Sequence, residues 1–323
     1  MRKEELKIVF MGTPEFAVGT LQALVEGGYN VVAVVTQPDK PVGRHHDTLA
    51  SPPVKRYALA HGLPVMQPER MKDETFIGRL RGYDADVQVV TAFRMLPEAV
   101  WGMPRFGTFN VHASLLPQYR GAAPINRAII NGETLTGITT FFLDRDMDTG
   151  RIILQKPYVI ADDSNAGDVY DALMALGAQA AVETVDRIIA GNGHTESLPQ
   201  QATGELKTAP KIFKDTCRIT WDARAKNIYD FIRGLSPTPG AWTMMTTDDG
   251  TTTMVKIYRA RKTDRQAQNK AGTMTADGGR LYIAAADSLL EIEELQPAGR
   301  KRMSGKDYVN GMRNIKYNSY LCK

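Results

Sequence analysis

Leu6-Lys-Ile-Val-Phe-Met-Gly-Thr-Pro14 sets the fold. Its unbroken apolar run, Leu6 to Met11, predicts a buried strand. A Gly-Thr-Pro turn follows, and proline suits the first turn of a helix. A helical pattern then runs to Gly28, and Tyr29–Val35 predicts a second strand. Helices are predicted over 54–61 and 72–81. Further strands are predicted at Asp86–Thr91, Thr108–His112, Thr136–Phe142 and Arg151–Leu154. Asp168–Ala190 places Val169, Leu173, Leu176, Ala180, Val185, Ile188 and Ile189 along one amphipathic helix. Strands alternating with helices predict an α/β protein with a doubly wound, mostly parallel sheet.

The pattern changes after Ala190. Residues 191–210 are polar and rich in Gly and Pro, which predicts a linker. A short helix is predicted over Ala223–Leu235. Short strands with turn signals follow at Ala241–Thr246, Met254–Ala260, Leu281–Ala285 and Leu289–Leu295. Such strands in about a hundred residues predict a small β-barrel of the OB type, an architecture that often binds oligonucleotides. The expected organisation is therefore a domain over 1–190, a linker over 191–210 and a second domain over 211–323.

Charge divides along the same line. The 323 residues carry a net charge of +4. Residues 1–206 hold 19 Lys and Arg against 24 Asp and Glu, whereas residues 207–323 hold 21 against 12. A basic second domain makes a polyanionic partner plausible. Two cysteines, Cys217 and Cys322, exclude a disulfide framework and a cysteine-rich zinc site. No run reaches the ~18 apolar residues of a membrane span. The N-terminal residues lack the apolar stretch of a signal peptide. A cytoplasmic protein with no membrane or metal requirement is expected.

The turn after the first strand carries one glycine and no G-x-G-x-x-G, which disfavours a nicotinamide cofactor. The densest polar constellation is Asn110-Val-His-Ala-Ser-Leu-Leu-Pro-Gln-Tyr-Arg-Gly121. Asn110 and His112 are two residues apart on a predicted strand, so their side chains leave the same face. The C-terminal end of such a strand is where open α/β sheets bind ligands. A satisfied core histidine and a catalytic one both remain open on these residues alone. Asp144, Asp146 and Asp148 follow the next strand. The first two read as a solvated turn, while Asp148 before Thr-Gly could point back at the sheet edge. A calcium loop would need a distal Glu, and residue 155 is Gln.

Asn, His and Asp together suit acyl transfer without a covalent intermediate. An amide and a protonated imidazole can donate to a developing oxyanion, and a carboxylate can hold the imidazolium or take a proton from an attacking amine. No G-x-S-x-G elbow is present to make Ser114 a nucleophile. The segment Thr36 to Pro53 is long for a strand-to-helix connection and suits a loop that orders on a partner, with Arg44 as its residue of interest.

Met11-Gly-Thr-Pro-Glu-Phe-Ala17, Thr36-Gln-Pro-Asp39, Asn110-Val-His112, Ser114-Leu-Leu-Pro117 and Asp148-Thr-Gly150 resemble the folate-dependent formyltransferase superfamily over nearly the whole chain. The loop at 36–53 and the basic C-terminal part resemble its tRNA branch, the methionyl-tRNA formyltransferases. The resemblance implies a Rossmann-like catalytic domain followed by an OB-like barrel. It implies transfer of a formyl group from 10-formyltetrahydrofolate to the methionine amino group of initiator Met-tRNA, for translation initiation. It places catalytic roles on Asn110, His112 and Asp148, folate binding on Ser114, Leu115, Leu116 and Pro117, and tRNA contact on Arg44. It also implies tetrahydrofolate as a partner. A monomer is expected, and the residues give no metal site. Two positions depart from the family pattern. Gly43-Arg44 is followed by His45-His46-Asp47 rather than further basic residues, and Ala92-Phe93-Arg94 replaces the frequent Ala-Tyr-Gly. A formyltransferase acting on a small amine would share the Asn-His-Asp set, but gives no reason for the basic domain. A non-catalytic RNA-binding protein on an enzyme scaffold would not need all three polar residues.

Overall fold

The computed structural model describes residues 1–42, 48–202, 204–246, 250–311 and 320–322. The chain divides into two compact units. One comprises Met1–Gly121, Leu135–Val159 and Tyr170–Thr208; the other comprises Ala122–Thr134, Ile160–Val169 and Ala209–Lys323. Among the described residues no helix is long and apolar enough to cross a membrane.

The first unit is built on a seven-stranded sheet. Its strands are β1 (Ile8–Gly12), β2 (Val31–Val35), β3 (Val65–Met66), β4 (Val87–Thr91), β5 (Thr108–His112), β6 (Leu135–Phe142) and β7 (Ile152–Val159). Their spatial order is β7-β6-β5-β4-β1-β2-β3. The five strands from β5 to β3 run parallel, and β6 and β7 are antiparallel additions beside β5. Both β1 and β4 are buried at every position, as expected of parallel strands covered on both faces. The chain leaves β1 through β2 and β3, then returns to lay β4 on the other side of β1. The carboxyl ends at such a reversal frame a ligand crevice in open α/β sheets.

Gly12 closes β1 where helix α1 (Glu15–Glu26) begins. A Cβ there would stand 2.6 Å from the Ala17 Cβ and 3.0 Å from the Thr91 carbonyl oxygen, so only glycine permits this close approach. The long helix Ala166–Ala190 covers part of the sheet. Its Tyr170 hydroxyl accepts from the Phe16 N–H at 2.7 Å, and the Thr184 and Thr140 hydroxyls meet at 2.8 Å. The expected strand at Arg151–Leu154 extends to Val159. Its alternating burial marks one solvated face, and Pro157 is tolerated because this is the edge strand. The helix Pro124–Ile130 had no counterpart in the sequence reading; seven residues carry too little periodicity.

The second unit carries an antiparallel sheet. Thr252–Gln266 pairs with Ala241–Thr246 on one side and with Ser288–Pro297 on the other, which closes the sheet into the expected small barrel. The strand Thr273–Asp277, not anticipated from sequence, pairs with Arg280–Ala284. The helix Ala225–Leu235 lays Ile228, Ile232 and Leu235 into the core beside Val255, Ile257 and Leu290. On the barrel's outer face, acidic residues answer the basic ones. Arg259 meets Glu293 at 2.9 Å, Arg261 binds Glu291, Arg265 meets Asp277 at 2.9 Å and Lys262 meets Asp162 at 2.6 Å.

One buried ion pair fixes the helix. Asp230 accepts from Arg233 Nε at 2.8 Å, with both side chains under a tenth exposed, and Lys226 binds the other carboxylate oxygen. Arg233 also donates to the Ser164 carbonyl at 2.8 Å. Breaking such a pair from one side leaves a buried charge uncompensated. Asp230→Ala is therefore expected to cost about 3–5 kcal/mol of stability. Denaturant unfolding would read this as a lowered midpoint; an unchanged midpoint would contradict it.

Candidate active site

The β5 strand delivers Asn110 and His112 to the C-terminal edge of the first unit's sheet. Asn110 lies between Val90 of β4 and Phe141 of β6, and His112 lies opposite Thr139. The two-residue spacing puts both polar side chains on one face. Asn110 is half-buried, and its amide makes no hydrogen bond to another described residue. His112 is buried, with Nε2 3.0 Å from the Tyr119 carbonyl oxygen. A carbonyl can only accept, so Nε2 carries its hydrogen and Nδ1 is the nitrogen left to exchange a proton. Phe141 packs edge-on to the imidazole, with centroids 6.4 Å apart.

Asp148 arrives from the loop between β6 and β7. Its Oδ2 lies 3.9 Å from His112 Nδ1 and accepts from the Gly121 N–H at 2.9 Å. The first distance is beyond a direct hydrogen bond and within the span of a bridging group. Asp148 sits at φ +57°, a left-handed conformation that costs a non-glycine residue on the order of 1–3 kcal/mol. Its surroundings hold it there. Asp144 Oδ1 accepts from the Thr149 hydroxyl at 2.6 Å and from the Asp146 N–H at 3.2 Å. Asp144 thus shapes the turn, while Asp146 stays exposed. A Cβ on Gly150 would stand 1.7 Å from the Phe142 carbonyl oxygen, so the loop can return to the sheet only at a glycine.

The segment after β5 is held by side chains the sequence did not single out. The Thr139 hydroxyl donates to the Ser114 carbonyl at 2.7 Å and accepts from the Leu116 N–H at 3.1 Å. Gln155 Nε2 donates to the Leu116 carbonyl at 2.8 Å. The Ser114 hydroxyl donates to the Gln118 carbonyl at 2.7 Å. Ser114 is fully buried by this turn, Leu116 is buried, and Leu115 and Pro117 remain partly exposed. The one available signal was a Thr-Thr pair, residues 139 and 140, inside an otherwise apolar strand.

The Thr36–Pro53 segment is anchored at its base. Asp39 meets Lys55 at 2.7 Å and accepts from Gln67 at 2.8 Å. The Lys55 and Gln67 hydrogen bonds, in that order, hold the Asp39 carboxyl below the usual carboxylate range. Strands at Lys40–Val42 and Thr48–Ala50 pair antiparallel. Arg44 and His45-His46-Asp47 lie outside the described residues. Arg94 turns toward Glu69, donating to its carbonyl at 2.8 Å, and burial lowers the pKa of its guanidinium.

Comparisons with known proteins agree with one another. The formyl transferase family profile matches residues 6–185, and the profile for the formyl transferase C-terminal domain matches 211–313. The chain is 54% identical over 320 residues to the methionyl-tRNA formyltransferase of Parabacteroides distasonis, covering 98% of each protein. Among solved structures, WlaRD, a sugar 3N-formyl transferase crystallised with dTDP and 5-N-formyl-THF, superposes with TM-score 0.64 at 18% identity. That match covers 92% of this chain and 99% of the other. HypX from Aquifex aeolicus in complex with tetrahydrofolic acid superposes with TM-score 0.63 at 15% identity. It covers 96% of this chain and 48% of the other, so this chain spans about half of that protein's length. At these identities the structural likeness is one of fold.

Proposed function

The chain belongs to the formyl transferase family, and from that premise we infer that it formylates the amino group of methionine carried on tRNA. The near-full-length likeness to a methionyl-tRNA formyltransferase supports this activity, which serves translation initiation. The donor we propose is 10-formyltetrahydrofolate, in keeping with the folates named in the two solved structures of the same fold. Initiator Met-tRNA is the proposed acceptor, and the basic second domain is its proposed electrostatic partner. Residues Ser114, Leu115, Leu116 and Pro117 are the proposed folate-binding segment, and Arg44 is proposed to contact tRNA. A monomer is proposed, as is a cytoplasmic location. For domain limits we propose 1–190, 191–210 and 211–323.

One juxtaposition carries the mechanistic reading: the Asn110 amide and His112 share a strand face, and the Asp148 carboxylate stands 3.9 Å from Nδ1 of that histidine. The donor supplies an electrophilic formyl carbon. In the proposed mechanism Asn110 Nδ2 and a protonated His112 Nδ1 donate to the oxygen on which charge develops as the amine attacks. A single donor of this kind contributes about 10²–10³ in rate. Asp148 steadies the imidazolium and receives the proton that the amine gives up as its nitrogen bonds the formyl carbon. The bond from that carbon to the donor's nitrogen then breaks, and the departing nitrogen takes a proton back from this acid–base pair. Tyr119 holds the imidazole by its far nitrogen, and the Gly121 N–H holds the same Asp148 oxygen that faces His112. The pair is thus organised before substrate arrives, which is what electrostatic stabilisation requires.

The decisive assay compares charged initiator and elongator tRNAs with the same folate donor. Formylation of initiator Met-tRNA at a much higher kcat/KM is expected. Formylation of free small amines instead, with Met-tRNA untouched, would overturn the acceptor assignment. Binding of Met-tRNA should also weaken steeply as salt rises from 50 to 200 mM, as phosphate contacts do, roughly linearly in log–log form. Salt-independent binding would remove the electrostatic role of the basic domain.

A further inference from the structure

Gln200 lies in the polar stretch between the two predicted domains, 52 residues beyond Asp148 in the chain. Its side-chain nitrogen Nε2 donates to the Asp148 carbonyl oxygen at 2.8 Å and to the Gly150 carbonyl oxygen at 2.9 Å. Its oxygen accepts from Arg120 Nε at 3.1 Å and Nη2 at 2.6 Å. The guanidinium can only donate and the two carbonyls can only accept, so the amide has one possible orientation. Among the described residues Arg120 forms no ion pair; its guanidinium is directed to this neutral amide.

The connectivity makes a clasp. Arg120 orients Gln200, which grips the backbone of Asp148 and Gly150. The residue after Arg120 is Gly121, whose N–H grips the Asp148 carboxylate at 2.9 Å. One short segment, 120–121, therefore controls both ends of Asp148, one directly and one through Gln200. Asp148 needs such a grip because its left-handed backbone is otherwise disfavoured. Among the described residues no other group hydrogen-bonds the Asp148 carbonyl oxygen, so without Gln200 that peptide is free to turn and carry the carboxylate away from His112.

We propose that Gln200 is a positioning residue for Asp148, holding its backbone so that the carboxylate stays beside His112 Nδ1. The inference rests on the proposed role of Asp148 in formyl transfer. It concerns chemistry rather than binding, because Gln200 contacts the carboxylate's own loop. A group misplaced by about 1 Å can lose on the order of 10²-fold in rate.

Two variants separate the roles. Gln200→Leu removes the amide, whereas Gln200→Glu keeps an acceptor for Arg120 but loses the donor to both carbonyls. Full-length protein would be assayed with 10-formyltetrahydrofolate and Met-tRNA, with thermal midpoints measured alongside. Both variants are expected to lower kcat by about 10–10²-fold, with KM for either substrate within about twofold. Gln200→Glu, nearly the same size as glutamine, tests the donor in a folded protein even where Gln200→Leu fails to fold. A wild-type kcat in Gln200→Glu, or a loss confined to KM, would overturn the proposal. Asp148→Asn serves as the reference. If it also retains full activity, the reading of Asp148 itself has failed; if it is inactive while Gln200→Glu is not, only the positioning role has failed.

Discussion

His112→Ala is expected to lower the single-turnover rate of formyl transfer by about 10²–10⁴, the range that a positioned acid–base group contributes. The imidazole is anchored through Nε2 to a backbone carbonyl and presents Nδ1 toward Asp148. Alanine removes the imidazole's hydrogen bond to the Tyr119 carbonyl and the cation proposed to face the developing oxyanion. The loss should appear in kcat, because the interaction strengthens only as charge forms. Met-tRNA binding, measured by filter retention, should stay within about twofold, since the imidazole is buried and the basic second domain is the proposed partner of the tRNA's phosphates. A variant that formylates at the wild-type rate would remove His112 from the mechanism.

Asp148→Asn probes the partner charge with little change of shape. The asparagine oxygen can still accept from Gly121, so the loop should persist. The negative charge beside Nδ1 is lost, and with it the group proposed to steady an imidazolium and take a proton from the amine. A kcat lower by about 10²–10⁴ is expected, with KM for donor and acceptor little changed. A rise in KM with unchanged kcat would reassign Asp148 to substrate binding. Together with His112→Ala it also makes a double-mutant test. Groups acting as one unit lose far less in the double variant than the product of the single losses.

The centre of the sheet was legible because β1 and β2 carry uninterrupted apolar runs, Ile8–Met11 and Val31–Val35. Thr108–His112 was read to its observed limits. The last strand runs beyond the stretch Arg151–Leu154 that its sequence predicts, because Gln155-Lys-Pro157 interrupts the apolar run, a break that an edge strand accommodates. Short elements such as Pro124–Ile130 and Thr273–Asp277 left too few residues to show a period. At the candidate site, Asn110, His112 and Asp148 were visible because ionisable or amide groups stand out at strand ends. Thr139, Gln155 and Gln200 were not. Their hydrogen bonds go to backbone atoms far along the chain, and no local spacing records that. Gln200 in particular was hidden by a composition that reads as a connector.

The paired basic residues of the barrel strand Thr252–Gln266 bear on how many salt ions would leave in the proposed binding of nucleic acid. Arg259, Lys262 and Arg265 already face carboxylates at 2.9, 2.6 and 2.9 Å. A cation so matched must first give up its acidic neighbour before it can neutralise a phosphate. The slope of log K against log salt should therefore count fewer displaced counterions than the formal excess of basic residues over 207–323.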